Sequence, residues 1–245
     1  MPRTAIASHR GGAFLWPENS LAAFRASLAL PLEQVECDVH RAADGEAVVI
    51  HDATLERTTE GSGPVAALRA AELGALRIRG GGGETVPRLA AMLALHRGSA
   101  IAPRIEIKAD AAGLPYPGLT ERVLAELDAA GLRGRSWLIG FDAPSMAGCL
   151  RAGLAGVAWL LEARSWRALG PRGAAAVARA YGFPEIGLPE AALDAEGLGV
   201  LRAAGLGVSV WGANHAPAIR RMLGLGVDLL ATDDPPLAIA LRDGG

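Results

Sequence analysis

Lysine is almost missing from this chain. Of its 24 basic residues, 23 are arginine and one, Lys108, is lysine. Abundant Ala, Gly and Arg mark a codon-biased genome. That bias explains why lysine is rare, but not why one stands where it does. Cysteine is also scarce: Cys37 and Cys149 cannot form a disulfide framework. There is no basic excess. The formal net charge is −2, which argues against nucleic acid as a partner. Long apolar runs are absent as well. The longest, Ala152 to Leu161, is about half a membrane span. The segment from Met1 to Arg10 lacks the apolar core of a targeting signal. These absences lead us to expect a cytoplasmic protein with no membrane span. What is present is globular: 51% hydrophobic and 20% charged residues. The 245 residues suit one large domain, and a single α/β barrel needs about 250.

Short apolar runs alternate with amphipathic stretches along the chain. Strand candidates are Thr4–Ser8, Glu33–Val39, Ala47–His51, Pro103–Lys108, Ser136–Gly140, Gly156–Leu160, Pro184–Leu188, Gly207–Trp211 and Asp228–Thr232. Helical periodicity falls between most of them, from Ser20–Leu30 to Pro235–Leu241. Buried strands alternating with helices mean a parallel sheet with helices outside. The pattern predicts an α/β fold, a (β/α)8 TIM barrel forming one domain over residues 1–245. A doubly wound open sheet is the runner-up, but Gly11-Gly12 is too short for a dinucleotide fingerprint.

Nine strands are one too many for the barrel. The pair Glu33–Val39 and Ala47–His51 is joined through Asp44-Gly45, a hairpin signal. A turn centred on residues 44 and 45 would set Asp38 opposite His51. An extended return to a parallel strand is the alternative. The stretch Asp52–Thr85 reads as an insertion rich in glycine, with one helical turn near Ala70–Leu73. It directly follows His51, so it should help form a substrate rim. The Arg164–Gly173 connection reads as a loop.

In such a barrel the active site lies at the C-terminal strand ends. Strand ends carry His9-Arg10, Glu36-Cys37-Asp38, His51-Asp52 and Glu106-Ile107-Lys108, and later Phe141, Trp211 and Asp233. The two-residue period turns Glu36 and Asp38 to one side and Cys37 to the other, and likewise pairs Glu106 with Lys108. Three carboxylates without a facing thiolate make an all-oxygen site, suited to Mg²⁺ or Ca²⁺ rather than zinc. A salt-bridge cluster with Arg10 and Lys108 is the other reading. His9 and His51 at neighbouring strand ends suit an acid–base pair. His40, His96 and His215 read as surface or loop residues. Two cations beside a divalent ion indicate an anionic substrate, with phosphate the natural candidate. Phe14, Trp16 and Phe141 could hold an acyl or aryl group, or pack the rim.

The motifs then take on a familiar order. Ser8-His-Arg-Gly-Gly12 and Pro17-Glu-Asn-Ser-Leu-Ala-Ala-Phe24 are followed by Val35-Glu-Cys-Asp-Val39, Asp44-Gly45 and Val48-Val-Ile-His-Asp52. Arg57-Thr-Thr59, Ile105-Glu-Ile-Lys108, Val210-Trp-Gly-Ala-Asn214 and Thr232-Asp233 complete the series. Nearly the whole chain resembles the glycerophosphodiester phosphodiesterase family. The resemblance implies a TIM-type barrel, one divalent cation, and hydrolysis of glycerophosphodiesters to an alcohol and sn-glycerol 3-phosphate. It assigns His9 and His51 as general acid and base, and Glu36, Asp38 and Glu106 as metal ligands. Arg10 and Lys108 become phosphate contacts and Trp211 the aromatic at the glycerol side. Glu18 would hold Arg10, and Asn19 reads as a helix N-cap. Ala42, Ser20 and Gly212 stand where the family often has threonine. A lysophospholipase D, a phosphodiesterase forming a cyclic phosphate, and a non-catalytic phosphodiester-binding protein are the alternatives.

Overall fold

A computed structural model describes residues 3–244. Met1, Pro2 and Gly245, the ends of the expected 1–245 domain, lie outside the described residues. Among the described residues, eight strands are parallel and close on themselves. They are β1 (Ala5–Ser8), β2 (Gln34–Arg41), β4 (Ala102–Ile107), β5 (Trp137–Gly140), β6 (Gly156–Leu160), β7 (Glu185–Pro189), β8 (Gly207–Trp211) and β9 (Leu229–Thr232). β1 closes the barrel by pairing with β9 on one side and β2 on the other. The fold is the expected (β/α)8 barrel.

The remaining strand, β3 (Ala47–Val49), returns antiparallel along the end of β2. The hairpin register differs by one residue from that expected. Val39 pairs with Val49, so the Ile50 N–H donates to the Asp38 carbonyl at 3.1 Å and His51 lies one residue further on. The cause is the turn. Ala42 and Glu46 close a three-residue loop in which Gly45 has φ +85°, a left-handed position that leaves room for one more residue than a two-residue turn. The extended-return alternative does not occur.

Helices cover the outside: α1 (Leu21–Leu28), α2 (Ala70–Leu73), α3 (Leu89–Leu95), α4 (Leu119–Ala130), α5 (Ala143–Gly148), α6 (Ala163–Tyr181), α7 (Ala195–Ala203), α8 (Ala216–Leu225) and α9 (Pro235–Asp243). Their apolar faces meet outward strand residues such as Cys37, Val39, Ile105 and Leu138 in one core. Cys37 therefore points away from Glu36 and Asp38, as the strand period requires. The Arg164–Gly173 segment is helical, not a loop. α6 starts at Ala163 and breaks only at Gly170, with φ +63°, ahead of Pro171. Those two helix breakers hide the first turns from a periodicity search.

The insertion after His51 contains α2 where a helical turn was expected. It packs its own small core, in which Leu55, Val65, Leu73 and Val86 meet Val48 and Ile50 of the hairpin. His51 thus sits on a stem braced from outside the barrel.

Inside the barrel, deeper than the strand ends, lies a buried ionic pair. Arg104 Nη2 donates to Glu185 Oε1 at 2.6 Å and to Ser209 Oγ at 3.1 Å, and its guanidinium lies 5.4 Å from the Trp137 ring centroid. Removing one member of a buried pair strands the other charge. Arg104→Ala should lower the unfolding free energy by about 3–5 kcal/mol in urea titrations. Arg104→Met combined with Glu185→Met should cost markedly less.

Candidate active site

The site begins with neighbouring strands. Asp38 of β2 and Glu106 of β4 are register partners, and Glu36 is one inward step below Asp38. Carboxylate oxygens of Glu36, Asp38 and Glu106 all lie within 4.8 Å of one another, and all three residues are buried. Among the described residues, Glu36 Oε1 and Asp38 Oδ1 are buried without a hydrogen-bond partner. Buried acceptors are costly when unpaired. Oxygen-only donors with free lone pairs fit a hard divalent cation.

Arg10 and Lys108 flank this cluster. Lys108 Nζ lies 2.8 Å from Glu106 Oε1 and 3.4 Å from Asp38 Oδ1. Arg10 Nε lies 3.5 Å from Asp38 Oδ2, while its Nη1 donates to Glu18 Oε1 at 3.3 Å, so Glu18 holds Arg10 as expected. Burial and then repulsion from Asp38 push the Glu36 carboxyl up. Burial also works against a charged Asp38, but Lys108, His51 and Arg10 outweigh it and hold that carboxyl far below its ordinary range. Lys108 stays charged because Asp38 and Glu106 overcome its burial.

The loop after β1 is wound tightly. Arg10 adopts a left-handed conformation, φ +53°, which costs a non-glycine residue about 1–3 kcal/mol. The conformation aims its N–H at Glu36 Oε2, 2.7 Å away, and its carbonyl accepts from Asn19 N at 2.9 Å. Gly11 follows because an added Cβ would lie 2.8 Å from Ala23 Cβ. Asn19 is not the helix cap. Ser20 caps α1 by accepting from Ala23 N. Asn19 is left-handed too, and its Nδ2 donates to Asp38 Oδ2 at 2.8 Å. The extra residue between Asn19 and the first turn frees its amide to orient a carboxylate.

His9 and His51 line one cavity of about 80 Å³, together with Arg10, Glu36, Glu106, Lys108 and Trp211. Each ring is held at Nδ1 by a carboxylate at 2.6 Å, His9 by Asp233 and His51 by Asp52. Nε2 is therefore the free nitrogen of each ring. Asp233 is fixed by the Asn214 side chain, whose Oδ1 accepts from Asp233 N at 2.9 Å. Asp52 is fixed by Arg57, which also bridges to Glu18. Burial opposes a charged His9, but the Asp233 hydrogen bond and the Glu36 charge overcome it and raise the imidazole above its ordinary value. Asp52 is held down at about 2, chiefly by Arg57. Trp211 forms part of the opposite wall, with its Nε1 buried and unpaired among the described residues.

Two histidines overturn the surface reading. His40 is buried on β2 and donates Nε2–H to the His51 carbonyl at 3.0 Å. His96 is buried at the end of α3, bonded to the Ile101 carbonyl. Both rings look like solvent-facing polar residues in sequence because their acceptors are backbone carbonyls remote in pattern. His215 is exposed, as expected. Sequence reasoning gave Asp52, Arg57, Asn214 and Asp233 no orienting role. The adjacency of His51 and Asp52 was the one local signal.

Comparison with known proteins decides the family. The model of the glycerophosphoryl diester phosphodiesterase family matches residues 9–237. A glycerophosphodiester phosphodiesterase of Caldanaerobacter subterraneus is 31% identical over 99% of this chain and 100% of its own. The chain belongs to the glycerophosphoryl diester phosphodiesterase family. An Agrobacterium tumefaciens crystal structure, provisionally named for the same activity, is similar to this phosphodiesterase with TM-score 0.96 and 36% identity. It covers 99% of this chain and 98% of that one. An Oleispira antarctica phosphodiesterase bound to sn-glycerol-3-phosphate shares the fold, with TM-score 0.82 and 21% identity over 98% and 97% of the two chains.

The phosphodiesterase's raised His9 gives a signed pH test. Stabilisation from the charged His9–Asp233 pair is complete below the unfolded histidine pKa and fades as pH rises through the higher folded value. Asp233→Asn should lower the His9 pKa in an NMR titration. Its destabilisation should be larger at acidic than at alkaline pH.

Proposed function

We propose that this phosphodiesterase hydrolyses glycerophosphodiesters to an alcohol and sn-glycerol 3-phosphate. One observation carries the reading. Two histidines, each braced at Nδ1 by a carboxylate, share a cavity with a buried three-carboxylate cluster and two cations. Glu36, Asp38 and Glu106 would hold one divalent cation, Mg²⁺ or Ca²⁺. When bound it supplies positive charge that steadies the phosphate oxygens as negative charge develops. Arg10 and Lys108 grip the same phosphate from the protein side. Trp211 packs against the glycerol.

The histidines divide the proton work. One Nε2 takes the proton of the attacking oxygen, and the other protonates the departing alkoxide. Asp233 and Asp52 keep a proton on each Nδ1, so each ring presents Nε2 to the substrate. The attacking oxygen is that of water or of the substrate's own glycerol hydroxyl. The second route passes through a cyclic phosphate.

A second reading concerns the substrate's tail. Phe14, Leu15, Leu114 and Phe141 are exposed large apolar side chains, and all lie in segments that directly follow a barrel strand on the catalytic end. They favour a monoacyl phosphodiester, which would make the enzyme a lysophospholipase D.

Assay of glycerophosphocholine, glycerophosphoethanolamine and lysophosphatidylcholine side by side separates the readings by product. Turnover of the first two should need a divalent ion and disappear with chelator. His9→Ala and His51→Ala should each lower kcat by about 10²–10⁴-fold with the fold intact. Lys108→Arg should keep the charge yet impair turnover, since a planar fork cannot take the place of a compact ammonium. No turnover of any glycerophosphodiester with Mg²⁺ or Ca²⁺ present would leave a non-catalytic binding protein.

Binding of the ion should also release protons. Glu36 is pushed up and must ionise to serve as a ligand. Calorimetric titration of metal-free enzyme near neutral pH, in buffers of different ionisation enthalpy, should show that release. The release should fade as pH rises through about 8, where Glu36 is already ionised before the ion binds.

A further inference from the structure

His51 lies beyond the last residue of β3, Val49, so no strand ladder fixes its carbonyl. That carbonyl instead accepts from His40 Nε2 at 3.0 Å. His40 is 1% exposed, and its second nitrogen, Nδ1, lies 3.0 Å from the Tyr116 hydroxyl. The two rings meet edge to face, with centroids 5.7 Å apart and planes at 83°.

The hydrogen-bond direction follows from chemistry. A carbonyl only accepts, so His40 Nε2 must carry the proton. In the neutral ring Nδ1 then carries the lone pair, and the Tyr116 hydroxyl donates to it. The chain runs one way, from Tyr116 O–H to His40 to the His51 carbonyl.

Tyr116 itself is well held. It lies in the segment between β4 and α4, the same segment that starts with Lys108. Ala109 and Pro115 form a bridge, and Asp110 Oδ1 accepts from Ala112 N and Leu114 N, each at 2.9 Å. A closed loop carrying Lys108 is thereby tied through one imidazole to the backbone of His51. Asp52 holds the ring end of the same residue.

We propose that His40, oriented by Tyr116, is a positioning residue that fixes the His51 backbone so that its Nε2 faces the phosphate. The inference rests on the reading of His51 as an acid–base group. His40 touches no reacting atom in this scheme. Its contribution is alignment, and misplacement of a catalytic group by about 1 Å can cost 10²-fold in rate.

The test uses the full chain, saturated with Mg²⁺ or Ca²⁺, on glycerophosphocholine. His40→Leu fills the space without a donor. It should lower kcat about tenfold with KM within about twofold. In His40→Gln the amide nitrogen stands where Nε2 was, and kcat should recover to within about threefold of the unmodified enzyme. Tyr116→Phe should lower kcat about two- to threefold alone and add nothing in the His40→Leu background. ¹⁵N NMR of the unmodified enzyme should show His40 protonated at Nε2 and not at Nδ1, whatever the activity.

An unchanged kcat in His40→Leu overturns the proposal. So does equal impairment in His40→Gln, the opposite tautomer, or a Tyr116→Phe effect that adds fully to that of His40→Leu. If His40→Leu does not fold, His40→Gln, Tyr116→Phe and the tautomer decide. His51→Ala is measured alongside. Near-normal turnover there removes His51 from the chemistry, a failure of the underlying reading that these variants would not imitate.

Discussion

Three buried carboxylates within 4.8 Å of one another set the terms for the rest of this molecule. Like charges removed from water cannot all ionise, and the protein meets that constraint in two ways. It brings Lys108 and Arg10 against the cluster, and it lets Glu36 rise while Asp38 falls. Neither measure gives every oxygen a hydrogen bond: among the described residues Glu36 Oε1 has none, and Asp38 Oδ1 has only the Lys108 ion pair at 3.4 Å. A cluster built only for stability would be better replaced by apolar packing. Keeping it makes sense where a cation and an anionic substrate complete the charge balance.

The constraint reaches into the backbone. The Glu36 oxygen that is paired accepts from Arg10 N, which requires a left-handed arginine. The Asp38 oxygen that is paired accepts from Asn19, also left-handed. Strain at these two positions is thus coupled to the carboxylates it serves. The Asn19 N–H to Arg10 carbonyl bond links the two strained residues, so neither relaxes alone. Gly11 between them allows α1 to approach closely enough for Asn19 to reach Asp38.

Much of the fold was legible because barrel strands are short, apolar and separated by amphipathic helices. Nine strand candidates agree with the nine strands of the described residues to within two residues at each end. Period two correctly separated Cys37 from Glu36 and Asp38. Legibility failed where one residue of geometry decided the outcome. Asp44-Gly45 signals a hairpin but not its loop length, and one residue moves His51 off the Asp38 pair. Pro171 beside Gly170 looks like a loop, although packing carries α6 across it. The acid–base candidates and carboxylates were visible as polar residues at strand ends. Their orienting partners were not. Asn214 and Asp233 lie far from His9 in sequence, and only barrel closure between β9 and β1 brings Asp233 to its Nδ1.

Lys108 shows how these layers join. Its Nζ must lie within reach of Glu106 and Asp38 at once, in a buried space bounded by His51 and the cavity wall. A guanidinium spreads its charge over a plane and prefers bidentate carboxylate pairing. Arg133 pairs in this way with Asp128 nearer the surface. Between two strand-fixed carboxylates that are register partners, a plane of five donors would take up more of their oxygens than one ammonium does. A single compact ammonium neutralises both through one oxygen of each, Glu106 Oε1 and Asp38 Oδ1. The arginine-rich composition therefore makes the exception informative: an arginine side chain, that of Arg10, reaches the cluster only at Asp38, and the position between Asp38 and Glu106 has the point charge.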